Sequence, residues 1–171
     1  MNDFDVRPEN EIETDEISDV VAAAFGRRDE ADIVAALRES SAFRPALSLV
    51  AHRDDEIVGH VMFTDATLDD DEERGALVLA PLAVAPDHQR SGVGSRLVRV
   101  GLDAARTAGD DLVFLHGDPN YYGRFGFTAA IAAGFENPID LSDEAFQVFD
   151  LTGDGSDETS GTLTYPSPLR E

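Results

Sequence analysis

The chain has no cysteine among its 171 residues. That absence excludes a disulfide framework, a thiolate metal site and a cysteine nucleophile together. Lysine is missing as well: all 13 basic side chains are arginine, set against 35 aspartates and glutamates, for a formal charge of −22. So acidic a chain repels nucleic acid and anionic lipid over most of its surface, and neither is expected as a partner. No apolar run approaches the roughly 20 residues needed to cross a bilayer. The opening Met1-Asn2-Asp3-Phe4-Asp5 lacks a basic stretch followed by an apolar one, so no signal peptide is expected. A soluble cytoplasmic protein is the default expectation.

Apolar residues are nevertheless 42% of the chain. At this length one domain, residues 1–171, is expected, able to bury about two-thirds of its unfolded surface. The acids are spread along the whole sequence rather than gathered in a tail. This pattern reads as a globular protein adapted to high salt, where a Debye length of about 3 Å at 1 M screens the self-repulsion.

Periodicity orders the elements. Phe4 and Val6 alternate in a first strand closed by Arg7-Pro8. Thr14 is the expected N-cap of a helix whose apolar face is Ile17, Val20, Val21, Ala24 and Phe25, ending before Gly26. A second helix is expected over about 29–40, with Ile33, Ala36 and Leu37 inward. Strands over 47–52 and 57–64 read as a hairpin across Arg53-Asp54-Asp55-Glu56. An acidic loop over 68–75 precedes a nearly continuous apolar strand over 76–84, whose ladder is expected to break near Pro81. A helix over about 92–108 presents Val93, Leu97, Val100, Ala104 and Ala108. A strand over 112–115 follows, then Asp118-Pro119 opens a short helix, and two last strands are expected over 145–151 and 161–165. The order β-α-α-β-β-β-α-β-α-β-β predicts a mixed α/β architecture: a partly antiparallel central sheet with flanking helices.

The chemistry concentrates in residues 77–95: a buried strand, a turn, then Gln89-Arg90-Ser91-Gly92-Val93-Gly94-Ser95 opening a helix. The first amides of a helix lack intrahelical acceptors and carry about half a positive charge. Glycines there let a phosphate approach the backbone without help from lysine. Four arginines (Arg90, Arg96, Arg99, Arg106) against one acid, Asp103, make residues 88–108 locally basic within an otherwise acidic chain. A solvated outer face is the plainer account of Arg99, Asp103 and Arg106. A Walker loop is excluded because no lysine follows the last glycine, and a dinucleotide fingerprint fails because Leu97 stands at its third glycine. Asp150, Asp154 and Gly155 match part of a calcium loop, but Thr152 and Gly161 hold ligand positions, so that site is rejected.

Gln89-x-x-Gly92-x-Gly94 resembles the Gln/Arg-x-x-Gly-x-Gly/Ala signature of the GNAT superfamily of N-acetyltransferases, and it follows a strand ending Leu82-Ala83-Val84-Ala85-Pro86. Farther on, Gly117-Asp118-Pro119-Asn120-Tyr121-Tyr122-Gly123-Arg124-Phe125-Gly126-Phe127 is similar to a bacterial and archaeal subgroup of that superfamily. The resemblance spans about residues 4–135 and implies the acyl-coenzyme A N-acyltransferase fold, with acetyl-coenzyme A as co-substrate and no metal. It implies that amides from Arg90 through Ser91, Gly92, Val93 and Gly94 to Ser95 hold the pyrophosphate. Backbone groups of the Leu82-Ala83-Val84 strand would pair with the pantetheine arm, and the amide near Leu82 would polarise the thioester carbonyl. Tyr122 matches the tyrosine that protonates the departing thiolate.

The base that frees the attacking amine is not specified by any motif; His60, His116, Asp118, Glu56 and water are the candidates. The expected activity is acetyl transfer to an amine of a small molecule or protein, by a monomer or homodimer. The alternative is a catalytically silent acyl-coenzyme A sensor on the same fold.

Overall fold

In chain order the elements are β1 (Asp5–Pro8), α1 (Thr14–Phe25), α2 (Asp29–Arg38), β2 (Phe43–Arg53), β3 (Glu56–Asp69), β4 (Ala76–Val84), α3 (Val93–Thr107), β5 (Leu112–His116), α4 (Pro119–Tyr122), β6 (Thr128–Ala129), β7 (Phe135–Glu136), β8 (Phe146–Asp150) and β9 (Gly161–Thr164). They come from a computed structural model that describes residues 4–69, 75–153 and 161–170. The centre of the acidic loop expected over 68–75, and Asp154 and Gly155 of the rejected calcium loop, lie outside the described residues. The chain forms two compact units, one of Met1–Thr64 with Ala80–Ala104, the other of Asp65–Leu79 with Ala105–Glu171. Among the described residues β1–β2, β2–β3, β3–β9, β5–β8 and β6–β8 pair antiparallel, whereas β4–β5 and β7–β9 pair parallel. The architecture is therefore mixed α/β with a mostly antiparallel sheet.

In the first unit β1 pairs antiparallel with β2, and β2 with β3. The β2–β3 turn places Asp54 and Asp55 at φ 50° and 67°. That is the two-residue geometry whose twist suits a hairpin, and aspartate tolerates it better than most side chains. Both strands run longer than alternation suggests. Pro45 sits inside the register shift between Phe43 and Ser48, where its missing N–H breaks no regular ladder. Ile17, Val20 and Val21 of α1 are buried as expected, but Phe25 is exposed. Thr14 is not the cap: a 3-10 turn over Glu11–Glu13 precedes α1, and the Glu13 carboxylate accepts the Asn10 N–H at 2.8 Å.

Two inner faces differ from the sequence expectation. In α2 the buried residues are Ala31, Val34 and Leu37 rather than Ile33 and Ala36. In α3 they are Val93, Leu97, Val98, Leu102 and Ala105, so Val100, Ala104 and Ala108 fall off the buried stripe. The α3 rotation has a local cause in Gly101: a Cβ there would lie 2.2 Å from the Phe63 ring. A hydrophobic count cannot see that a glycine faces inward, because its contribution is room for another side chain.

In the second unit β4 runs parallel to β5 over Ala76 to Val78, and β5 pairs antiparallel with β8 along its whole length. The registered β4–β5 ladder thus covers the residues before Pro81, where the sequence places the break. The short helix after β5 forms as expected. Asp118 caps it by accepting the Asn120 N–H at 2.9 Å, Pro119 fills its first turn, and a 3-10 turn over Gly123–Phe125 extends it. β6 and β7, two residues each, carry too little periodicity to be read from sequence. The aromatic core stacks Phe114 on Phe146 at 5.9 Å, with Phe135 edge-on to Phe114 at 4.9 Å.

Candidate active site

Along the last residues of β4, Pro81 and Ala83 are buried while Leu82 and Val84 are half-exposed. This strand alternation turns the Leu82 and Val84 side chains to the more open face, and the β4–β5 register ends at Val78, ahead of them. The chain leaves the strand at Ala85, whose N–H donates to Val58 O at 2.8 Å, and makes a 3-10 turn over Pro86–His88. Gln89 then folds back: its side-chain amide donates to Val84 O at 3.1 Å. The signature glutamine therefore ties the loop to the strand end. The Val84 carbonyl is thus taken up by Gln89.

Beyond Gln89 the loop needs unusual backbone. Arg90 takes φ 63° and Gly92 takes φ 90°. A non-glycine residue at positive φ is uncommon and costs free energy, and such outliers concentrate at functional sites. Ser91 donates its hydroxyl to His88 O and closes the turn. α3 begins at Val93, and the Arg96 N–H reaches Gly92 O at 3.0 Å as a first helical bond. The amides ahead of it, around Gly92, Val93 and Gly94, stand at the electropositive end of a 15-residue helix. Residues 82–95 thus assemble within the first unit as one strand-end and helix-start device.

Tyr122 belongs to the second unit, at the last position of α4. Its ring packs edge-on to Tyr121 at 4.9 Å and to Phe127 at 5.8 Å. The hydroxyl makes no hydrogen bond among the described residues. Burial, and secondarily the neighbouring Tyr121, pushes its pKa above the ordinary phenol value, so the proton stays on. Tyr121 packs under Arg124, whose guanidinium lies 4.6 Å from the ring centroid.

The candidate bases are mostly engaged. His116 Nε2 meets Asn137 Oδ1 at 2.8 Å, an acceptor only, so Nε2 carries the hydrogen. Nδ1 then accepts from the Tyr165 hydroxyl, also at 2.8 Å, and burial lowers the His116 pKa against the Asn137 hydrogen bond. Both nitrogens are occupied. His60 is fully buried, with Nε2 at 3.1 Å from Ser48 Oγ and 3.4 Å from Glu9 Oε1. Burial lowers its pKa more strongly than Glu9 raises it, so the imidazole is neutral. Glu9 stays ionised at about 2: burial opposes this, but hydrogen bonds from His60, Arg38 and Ser48 prevail. Asp118 is occupied as the α4 cap. Glu56 is exposed at the β2–β3 turn. None of the partners Asn137, Tyr165, Glu9, Arg38 or Ser48 carries a sequence signal, because each meets its histidine only through the fold.

The sequence matches the acetyltransferase (GNAT) domain family over residues 5–130. It is 41% identical over 131 residues to the uncharacterized N-acetyltransferase YjhQ of Escherichia coli K12, covering 75% of this chain and 72% of that protein. The chain belongs to the GNAT family of N-acetyltransferases. Its structure is similar to that of the GNAT N-acetyltransferase YhbS of Escherichia coli in complex with CoA, at TM-score 0.91 and 28% identity over 100% of this chain and 94% of that one. It is also similar to a GNAT acetyltransferase of Brucella melitensis in complex with acetyl-CoA, at TM-score 0.79 and 32% identity over 97% of both chains.

Proposed function

We propose that this chain transfers the acetyl group of acetyl-coenzyme A directly to an amine. The observation that carries the reading is the device at residues 82–95, whose strand end, positive-φ turn and helix N-terminus suit an extended thiol arm ending in a pyrophosphate. The CoA and acetyl-CoA complexes of the two similar structures support the same ligand. Amides from Arg90 to Ser95 hold the pyrophosphate. The strand backbone around Leu82, Ala83 and Val84 aligns the pantetheine, and the amide near Leu82 faces the thioester oxygen as charge develops on it.

In the reaction the amine nitrogen bonds to the carbonyl carbon, the carbon–sulfur bond breaks, and nitrogen loses a proton while sulfur gains one. Tyr122 supplies the sulfur's proton. A phenol is a weaker acid than a thiol by about 1.5 units even before burial raises it further. Its hydroxyl therefore acts first as a hydrogen-bond donor to the developing thiolate, and transfer completes as the carbon–sulfur bond breaks. The amine's proton passes to water or to Glu56, since His116 and Asp118 hold other partners and His60 is fully buried.

The test is a panel of small amines and amine-bearing peptides mixed with acetyl-coenzyme A in molar potassium chloride, following thiol release and product mass together. Amine-dependent thiol release with a matching acetylated product supports the reading. Coenzyme binding without turnover on any amine would convert it to a silent acyl-coenzyme A sensor.

A further inference from the structure

The string that follows β5 begins with a glycine whose role no motif explains. Gly117 is half-exposed, and its φ lies outside the left-handed region, so the backbone itself would accept a side chain there. The obstacle is one residue. A Cβ at Gly117 would lie 2.6 Å from Cε2 and 3.0 Å from Cδ2 of Tyr122, whereas its remaining neighbour, Leu115 Cδ1, sits at an ordinary 3.5 Å.

Gly117 is also pinned. Its N–H donates to Ala145 O at 3.0 Å, and its carbonyl accepts the Gln147 side-chain amide at 3.1 Å. Gln147 is itself buried, one of few polar side chains in the core. On the other flank, Tyr122 is tied through its N–H to Asp118 O at 3.0 Å. Any side chain at 117 would therefore displace the Tyr122 ring rather than the strand end. Tyr121, Phe125 and Phe127 pack around that ring and set where it can go.

The geometry points to Gly117 as a positioning residue: its bare Cα, locked by Ala145 and Gln147, is the platform that sets the Tyr122 hydroxyl. This rests on the reading of Tyr122 as the donor to the leaving thiolate. It accounts for the glycine that opens the Gly117-Asp118-Pro119 string, because a methyl group there would claim space that the Tyr122 ring occupies.

Two measurements test it. The chain has only three tyrosines, so NMR of ring-labelled tyrosine, assigned by Tyr122→Phe, reads the ring without any acceptor. Gly117→Ala should move the Tyr122 ring signals and leave those of Tyr165 in place. Gly123→Ala, in the same string with open space around it, should move neither. Unmoved Tyr122 signals in Gly117→Ala overturn the inference. The second measurement is a double-mutant cycle on thiol release with the best amine of the panel. Gly117→Ala should cost about tenfold or more in kcat with little change in KM for acetyl-coenzyme A, and nothing further when Tyr122→Phe is already present. Multiplying losses overturn the positioning role while leaving the Tyr122 assignment standing. Full turnover by Tyr122→Phe instead overturns that assignment, and the catalytic purpose of the glycine with it. If Gly117→Ala alone does not fold, pairing it with Tyr122→Ala should restore a cooperative melt, because the obstructing ring is gone. Failure to restore it contradicts the inference.

Discussion

Among single residues, Tyr122 and His116 show what a sequence can and cannot disclose. Tyr122 is proposed on local residues alone: it stands four positions before Gly126, in a string with the cap Asp118 and the first-turn Pro119. His116 is illegible because its partners Asn137 and Tyr165 lie 21 and 49 residues away. Only after folding is it clear that both ring nitrogens of the histidine beside the string are engaged. Tyr122→Phe keeps the ring and its packing while deleting a hydroxyl with no partner among the described residues. We expect kcat to fall by at least about 10²-fold, with melting temperature and acetyl-coenzyme A affinity nearly unchanged. Tyr121→Phe is the control and should turn over normally. Steady-state kinetics with a competent amine decides it, and full turnover by Tyr122→Phe would mean that water protonates the thiolate.

Among elements, strong local signals disclose strands and helix ends: β4 spans the residues expected, and α1 ends before Gly26 as its periodicity places it. Faces are less legible, because α3 turns on Gly101 accepting Phe63 and a glycine has no hydrophobic signal. The network joining α2, β2 and β3 was invisible for a different reason. Arg38 pairs with Glu9 at 2.8 Å across 29 residues, and Ser48 and His60 complete the group. Its pH response follows from the two shifts. His60 is held neutral below its ordinary value of 6.5, so the unfolded chain binds a proton there first, and stability is lost as pH falls below about 6.5. Glu9, held at about 2 against an ordinary 4.5, adds a further loss below that ordinary value. Protonation of exposed carboxylates relieves repulsion and acts in the opposite sense, so the measurement belongs in molar potassium chloride. Melting temperature there should be level from pH 8 to 7 and fall from pH 6.5 to 4. Glu9→Gln, which leaves Arg38 without its charge partner, should cost about 3 kcal/mol at pH 7. A melting temperature that stays level down to pH 4 would mean that the network contributes no stability.

For the whole molecule the dominant fact is the charge of −22 carried without a single lysine. Such self-repulsion opposes compaction until ions screen it. Melting temperature should therefore climb steeply from low to molar potassium chloride, and a flat profile would contradict adaptation to high salt without touching the enzymatic reading. The same charge makes coenzyme binding a demanding test, because a polyanionic ligand must approach a polyanionic protein. Titration calorimetry of acetyl-coenzyme A in molar potassium chloride, on the wild type and on Gly94→Val, decides whether the start of α3 holds the coenzyme. The account predicts saturable binding to one site on the wild type. It predicts a melting temperature raised by ligand, by an amount worth about 2.7 kcal/mol at a hundredfold excess over Kd. Gly94→Val should melt normally without ligand and bind much more weakly, because its side chain obstructs the phosphate approach. Absence of binding by the wild type, or unchanged affinity in Gly94→Val, would contradict it.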